Sequence, residues 1–267
     1  MQAITSSQAG SPTKTNEDWI SVDSGLIVVL DGATARTDTG CVHGVSWFAE
    51  NLGSAIQENA SSGSVPLVSA LQRSILHVAD LHPECDLKHP GSPSAAVGVV
   101  RIGESLEYLV LGDVSLVLND GSEFIVVTDP RVSSTARAAR DEADRHLIGS
   151  PKKQEALLKM KAGELAAKNR EGGYWIATSE PSGVAHALTG SISLDRIREV
   201  ALFTDGAARI VDLFEDLDWG HAFKYLRAGN PSELIRRTRK LEESDPLGAR
   251  WPRNKKSDDA SIVYGLL

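Results

Sequence analysis

Four aspartates stand where a short apolar run meets a turn, and they are spread along the whole chain. Asp31 follows Gly25–Leu30, Asp113 follows Leu106–Leu111, Asp205 follows Val200–Thr204, and Asp258 precedes Ser261–Leu267. A fold that accommodates all four must place several strand ends on one rim. Carboxylates gathered there repel one another unless a cation neutralises them. Hard divalent cations such as Mg²⁺ and Mn²⁺ prefer oxygen ligands and keep waters of their own, so the pattern points to a metal site.

The runs between these aspartates show two periods. Trp19–Val22 and Leu26–Leu30 flank Asp23-Ser24-Gly25, which has hairpin-turn composition. Val42–Ile56 carries Val45, Phe48, Ala49, Leu52 and Ile56 at helical spacing, and Pro66 opens a second helix through Leu81. His82–Pro93 is a breaker-rich loop. Ala95–Ile102, Leu106–Leu111, Ser115–Leu118 and Glu123–Val127 read as an antiparallel meander, in which Gly112-Asp113 could close a hairpin. Arg131–Arg170 is charged and Ala-rich, with a break at Gly149-Ser150-Pro151. Strands are expected at Tyr174–Thr178, Ala185–Thr189 and Val200–Phe203. Helices are expected at Ala207–Phe214, Trp219–Ala228 and Pro231–Glu243, before a polar loop at Asp245–Lys256. The order of helices and strands predicts an α+β fold in which helices cover both faces of antiparallel sheets.

The aspartates lie near both ends and in the middle, which favours one domain over residues 1–267, with a helical insertion-like segment around 131–171. A composition with 41% hydrophobic residues can bury a sizeable core. The net charge of −8 argues against a nucleic-acid partner. No apolar run approaches the ~20 residues of a membrane span, and no N-terminal leader pattern is visible, so a cytoplasmic location is expected. Cys41 and Cys85 form no disulfide framework.

Five short motifs, in order, resemble those of the PPM family, the type 2C metal-dependent serine/threonine protein phosphatases. They are Thr15-Asn16-Glu17-Asp18, Val28-Val29-Leu30-Asp31-Gly32, Leu111-Gly112-Asp113, Phe203-Thr204-Asp205-Gly206 and Asp258-Asp259-Ala260-Ser261. Each alone is weak, because Asp-Gly is also a common turn dipeptide; together they span nearly the whole chain. The resemblance implies an αββα sandwich of two antiparallel sheets flanked by helices, with a site for two Mn²⁺ or Mg²⁺ ions at one end. It implies that Asp31 bridges both ions, that Gly32 offers its carbonyl, and that Asp205 and Asp258 hold the second ion. Glu17 would act through water, Asp113 would match the position of a third, weaker ion in bacterial members, and Asp18 would orient waters or ligands. A phosphorylated protein is the implied substrate, and Asp31, Asp205 and Asp258 are the residues on which catalysis would rest. Of the C-terminal pair, Asp258 rather than Asp259 is the expected ligand.

The chain departs from the family pattern at two places. Thr13 stands where an arginine usually binds the substrate phosphate, beside Lys14, and Ala33-Thr34-Ala35 replaces the His-Gly that often follows Asp-Gly. Lysine cannot grip two phosphate oxygens as the arginine fork does. Lys14 and Arg36 are the substitute phosphate ligands expected, and His43 a substitute proton donor. A weakly active regulatory module that binds a phosphoprotein is the alternative reading. Cys41, two residues before His43, invites a metal or nucleophile reading, although a buried small cysteine is the plainer one. His77, His82 and His89 surround one loop but offer no closed ligand spacing, so no zinc site is expected there.

Overall fold

The computed structural model of the protein describes residues 2–267. Two five-stranded antiparallel sheets stack face to face, with helices on both outer faces. One sheet has the order β2 (Trp19–Asp23), β3 (Leu26–Gly32), β4 (Ala95–Ile102), β5 (Ser105–Leu111) and β8 (Leu188–Ser193). The other has the order β1 (Gln2–Gln8), β10 (Ala260–Leu266), β9 (Glu199–Phe203), β6 (Ser115–Asn119) and β7 (Phe124–Val127). The β2–β3 hairpin turns through Ser24 and Gly25, both at positive φ, as a two-residue turn of matching twist requires.

Burial on both faces explains the continuous apolar runs. Along β3, Leu26, Val28 and Leu30 pack under α1 (Val45–Ala60) and α2 (Leu67–Asp80), while Ile27 and Val29 face the opposite sheet. Val110, Leu116, Val200, Leu202 and Val263 complete the layer between the sheets. On the far side, Val117, Ala201, Phe203 and Ile262 bury against α6 (Asp205–Asp212), α7 (Trp219–Arg227) and α8 (Pro231–Ser244). The segment after β7 forms α3 (Arg131–Ser134), α4 (Arg137–Asp144) and α5 (Pro151–Ala167), with a small core of Ala143, Ala156, Leu157 and Met160. Ser150 caps α5 and Pro151 opens it, which is the expected break. No helix among the described residues is long and apolar enough to cross a membrane.

Three expectations change. The four central strands are not one meander: β5 and β6 belong to different sheets, and Gly112-Asp113 carries the chain from one to the other. Gly112 sits at φ +88°, and a crossover and a hairpin have the same local signature of glycine between apolar runs. Tyr174–Thr178 makes only isolated bridges, and the strand expected at Ala185–Thr189 begins at Leu188, after a 3₁₀ turn over Pro181–His186. The N-terminal strand β1 had no apolar signal, because it is an edge strand paired only with β10.

Candidate active site

Each sheet delivers carboxylates to the same end of the sandwich. Asp31 continues the Ile27–Val29 face of β3, so its side chain emerges between the two sheets. Asp113 lies on the crossover between them. Asp205 opens α6 directly after β9, and Asp258 lies just before β10. All four line one cleft of about 160 Å³, together with Gly32, Arg36 and Lys255. The backbone N–H of Asp205 donates to Asp31 Oδ2 at 3.0 Å, which ties the ends of β3 and β9 across the sheets. The glycines after the two aspartates let neighbouring backbone pack closely against these strand ends. A Cβ on Gly32 would fall 2.5 Å from the Glu17 carbonyl oxygen, and one on Gly206 would overlap the Asp259 carbonyl.

The carboxylates do not share one electrostatic state. Burial, then repulsion from Asp205, Asp18, Asp113 and Asp258, pushes the Asp31 carboxyl well above its usual range. Burial and Asp205 raise Asp113 to about 7. Asp18, which accepts a hydrogen bond from Thr204 Oγ1 at 2.9 Å, is raised to about 8, chiefly by burial. Asp205 opens to solvent at the cleft mouth, yet the protein crowded around it limits its hydration, and Asp258 adds repulsion, so it too is raised. Asp258 moves the other way. Burial opposes its charge, but Lys255 and Arg209 outweigh burial and hold it below the ordinary value. Lys255 is ion-paired to Asp258 Oδ1, and Arg209 reaches Oδ2 at 2.9 Å. Arg209 also pairs with the fully buried Glu242 at 2.9 Å, and Glu242 with Arg239 at 2.9 Å.

Glu17 and Lys14 stand on an adjoining cavity of about 1040 Å³, bordered by Thr34, Lys255 and Asp259. The Thr34 hydroxyl donates to Glu17 Oε2 at 2.6 Å and accepts from Lys255 Nζ at 2.9 Å, so one threonine links the two cavities. Burial raises the Glu17 carboxyl. Asp259 is spent on backbone: Oδ1 accepts from Gly10 N and Oδ2 from Glu17 N, both at 2.7 Å. Of the two residues expected as substitute phosphate ligands, Arg36 lines the aspartate cleft and Lys14 does not. His43 lines neither cavity; its ring stacks on Trp47 and faces two cysteines, so it is no proton donor to this cleft.

Three residues of this site were not anticipated. Arg209 lies one helical turn after Asp205 in α6, a spacing that was available to find it. Lys255 lies three residues before Asp258, within a loop whose path no periodicity predicts. Lys161 comes from α5, which lies along the cleft with Arg140 and Glu164 paired at 2.8 Å; burial lowers the Lys161 ammonium. The carboxylates fit a hard cation in part as they stand. Asp31, Asp113 and Asp205 have no ion-paired side chain of their own and are held toward the neutral acid, which a bound cation would reverse, whereas Asp258 already has two ion-pair partners.

Comparison with known proteins agrees with this architecture. Solved structures similar over nearly the full chain include a PPM Ser-Thr phosphatase from Mycobacterium smegmatis in complex with cacodylate, at 17% identity and a TM-score of 0.58, covering 99% of this chain and 97% of that one. The serine/threonine phosphatase Stp1 of Staphylococcus aureus aligns at 10% identity and a TM-score of 0.60, covering 100% and 94%. The Mycobacterium tuberculosis phosphatase PstP aligns at 13% and 0.59, covering 100% and 98%. A structure of the PstP catalytic domain with two manganese ions aligns at 14% and 0.56, covering 98% and 96%. No curated protein matches the sequence. The family model for protein phosphatase 2C matches residues 11–243, and the chain belongs to that family.

Proposed function

We propose that the chain is a metal-dependent phosphomonoesterase that removes phosphate from phosphoserine or phosphothreonine in proteins, acting as one unit over residues 1–267. The observation that carries this reading is the convergence of Asp31, Asp113 and Asp205, from both sheets, on one cleft. The PstP catalytic domain, whose fold this chain shares, is described with two manganese ions. Asp31, the Gly32 carbonyl, Asp205 and Asp258 would hold two Mn²⁺ or Mg²⁺ ions, with Glu17 acting through water and Asp113 serving a third. When bound, such ions supply Lewis acidity toward phosphoryl oxygens and a nucleophilic water at neutral pH.

The chain's own cations supply the rest. Arg36, Lys161 and Lys255 line the cleft and can neutralise the incoming phosphate where no arginine stands at position 13. Lys255 has two roles in this account. Paired with Asp258 it keeps that carboxylate charged; released from Asp258, it becomes a free ammonium beside the phosphate position. Such an exchange would leave neither charge uncompensated, which is the condition that makes a broken buried pair costly.

A second reading, a phosphoprotein-binding module with little activity, is favoured by one feature: Arg209 and Lys255 already neutralise Asp258 internally. Assays on an aryl phosphate and a phosphothreonine peptide with Mn²⁺ separate the two. Turnover of both, with higher kcat/KM on the peptide, is the expected result. Peptide binding without turnover of either substrate would support the second reading.

A further inference from the structure

Away from the aspartates, two short sequence pairs meet beside the N-terminus of α1. Cys41 and His43 come from the loop that leads from Gly32 to α1, and His82 and Cys85 from the loop that follows α2. One ligand atom from each lies within 4.8 Å of the other three. Cys41 Sγ and Cys85 Sγ are 3.5 Å apart, and His43 Nδ1 is 3.5 Å from Cys85 Sγ and 3.8 Å from Cys41 Sγ. In a tetrahedron with Zn–S near 2.3 Å and Zn–N near 2.0–2.1 Å, the ligand–ligand edges are roughly 3.3–3.8 Å. The three measured edges fall in that range.

The histidines are oriented as metal ligands are. His82 is buried, and its Nδ1 meets the Val78 carbonyl oxygen at 2.7 Å. A carbonyl only accepts, so Nδ1 carries the proton and Nε2 presents its lone pair. A backbone carbonyl on the far nitrogen is the usual device that sets the tautomer of a metal-bound imidazole. His43 stacks on Trp47 at 4.3 Å, and His82 meets the same indole edge-on at 4.4 Å, which fixes both ring planes. The two loops are also joined without the side chains, by Asp86 N–H donating to Gly40 O at 2.8 Å.

We infer that Cys41, His43, His82 and Cys85 bind one zinc ion in a closed, four-ligand structural site. Two thiolates and two imidazoles suit a borderline-soft cation and disfavour Mg²⁺, so this site and the aspartate cleft select different metals. With no open coordination position, the ion has no part in hydrolysis. It fastens the loop of residues 33–44, which carries Arg36 into the cleft, to the end of α2. The site does not depend on the phosphatase reading.

The test uses the full chain, untagged, purified under reducing conditions without added metal. Elemental analysis should find about one zinc per chain, as a single four-ligand site demands. That zinc should persist in Asp31→Asn and be lost in Cys41→Ser/Cys85→Ser. Replacement by Co²⁺ should give thiolate-to-cobalt charge-transfer absorption in the near ultraviolet and the visible bands of tetrahedral cobalt. Should the double variant fail to fold, thiol titration of the wild type decides: both cysteines should react slowly with a disulfide reagent before chelation and quickly after it. Less than about a tenth of a zinc per chain, with no charge-transfer band on Co²⁺ addition, overturns the site. So does thiol reactivity that chelation leaves unchanged.

Discussion

The Lys255 ammonium is ion-paired with the Asp258 carboxylate, the residue proposed as a metal ligand. Burial alone would lower the Lys255 ammonium, but Asp258, Asp205 and Asp31 together hold it above the ordinary lysine value. In the proposed reading, a cation built into the chain would compete with a cation from solution for the same oxygen atoms. Lys255→Met removes the competitor and should tighten Mn²⁺ binding roughly tenfold, equivalent to about 1.4 kcal/mol. Calorimetric titration checks this. Because the same ammonium is assigned to the phosphate, kcat/KM should fall in the same variant even at saturating Mn²⁺. Unchanged or weaker Mn²⁺ affinity would end the competition argument.

Asp258 and Asp259 are adjacent but engaged differently, and their alanine variants should separate. Asp258→Ala strips a charge from the cleft and leaves Arg209 and Lys255 without it, so Mn²⁺ affinity and activity should both fall. Asp259→Ala instead frees the backbone N–H groups of Gly10 and Glu17. Charge-assisted bonds of this kind contribute about 1.5–3 kcal/mol each, so the main effects should be a lower Tm and faster proteolysis near residues 9–17. A larger loss of metal affinity in Asp259→Ala than in Asp258→Ala would reverse the assignment.

Arg36 and Lys161 face the cleft from a loop and a helix that hold none of the aspartates. Arg36→Ala and Lys161→Ala should each raise KM for a phosphothreonine peptide several-fold while leaving the Mn²⁺ titration unaltered, since in the proposed reading they would meet substrate and no metal. Identical kinetics in the wild type and Lys161→Ala would remove α5 from the substrate site.

The raised carboxyls also make metal-free stability depend on pH. In the folded protein Asp18 titrates at about 8 and Asp113 at about 7, against about 3.9 for an unfolded aspartate. Between these limits the folded state binds more protons than the unfolded state, so stability falls as pH rises. In chelator, the Tm should drop from about pH 5 to about pH 8, and the drop should be smaller in Asp113→Asn, whose side chain no longer titrates. Thermal scans of both proteins test this. An equal slope in wild type and variant would show that Asp113 is not the source.

What could be read from the residues followed from how local each signal was. Asp31, Asp113, Asp205 and Asp258 were legible because each ends or precedes an apolar run, and the helices under Leu52 and Ile75 because their buried faces recur at helical spacing. The switch of sheets at Gly112-Asp113 was not, since partner choice is a property of the assembled sandwich rather than of the turn. Strand β1 is mostly polar along Gln2–Gln8 and is recognisable only through its pairing with β10. The pairing of Lys255 with Asp258 and the meeting of Cys41-x-His43 with His82-x-x-Cys85 depend on loop paths, which packing decides. Reading His82 together with His77 and His89 missed the thiolates, because half of the ligands lie about forty residues earlier, across the α1–α2 pair.

The central claim is that Asp31 organises metal-assisted phosphate hydrolysis in the cleft between the sheets. The most direct test is the Mn²⁺ dependence of aryl phosphate hydrolysis by the chelated and then reloaded wild type, beside Asp31→Asn. Activity should vanish on chelation, return with Mn²⁺, and be at least ~100-fold lower in Asp31→Asn at every Mn²⁺ concentration. Hydrolysis that survives thorough chelation, or an Asp31→Asn variant as active as the wild type, would contradict the account.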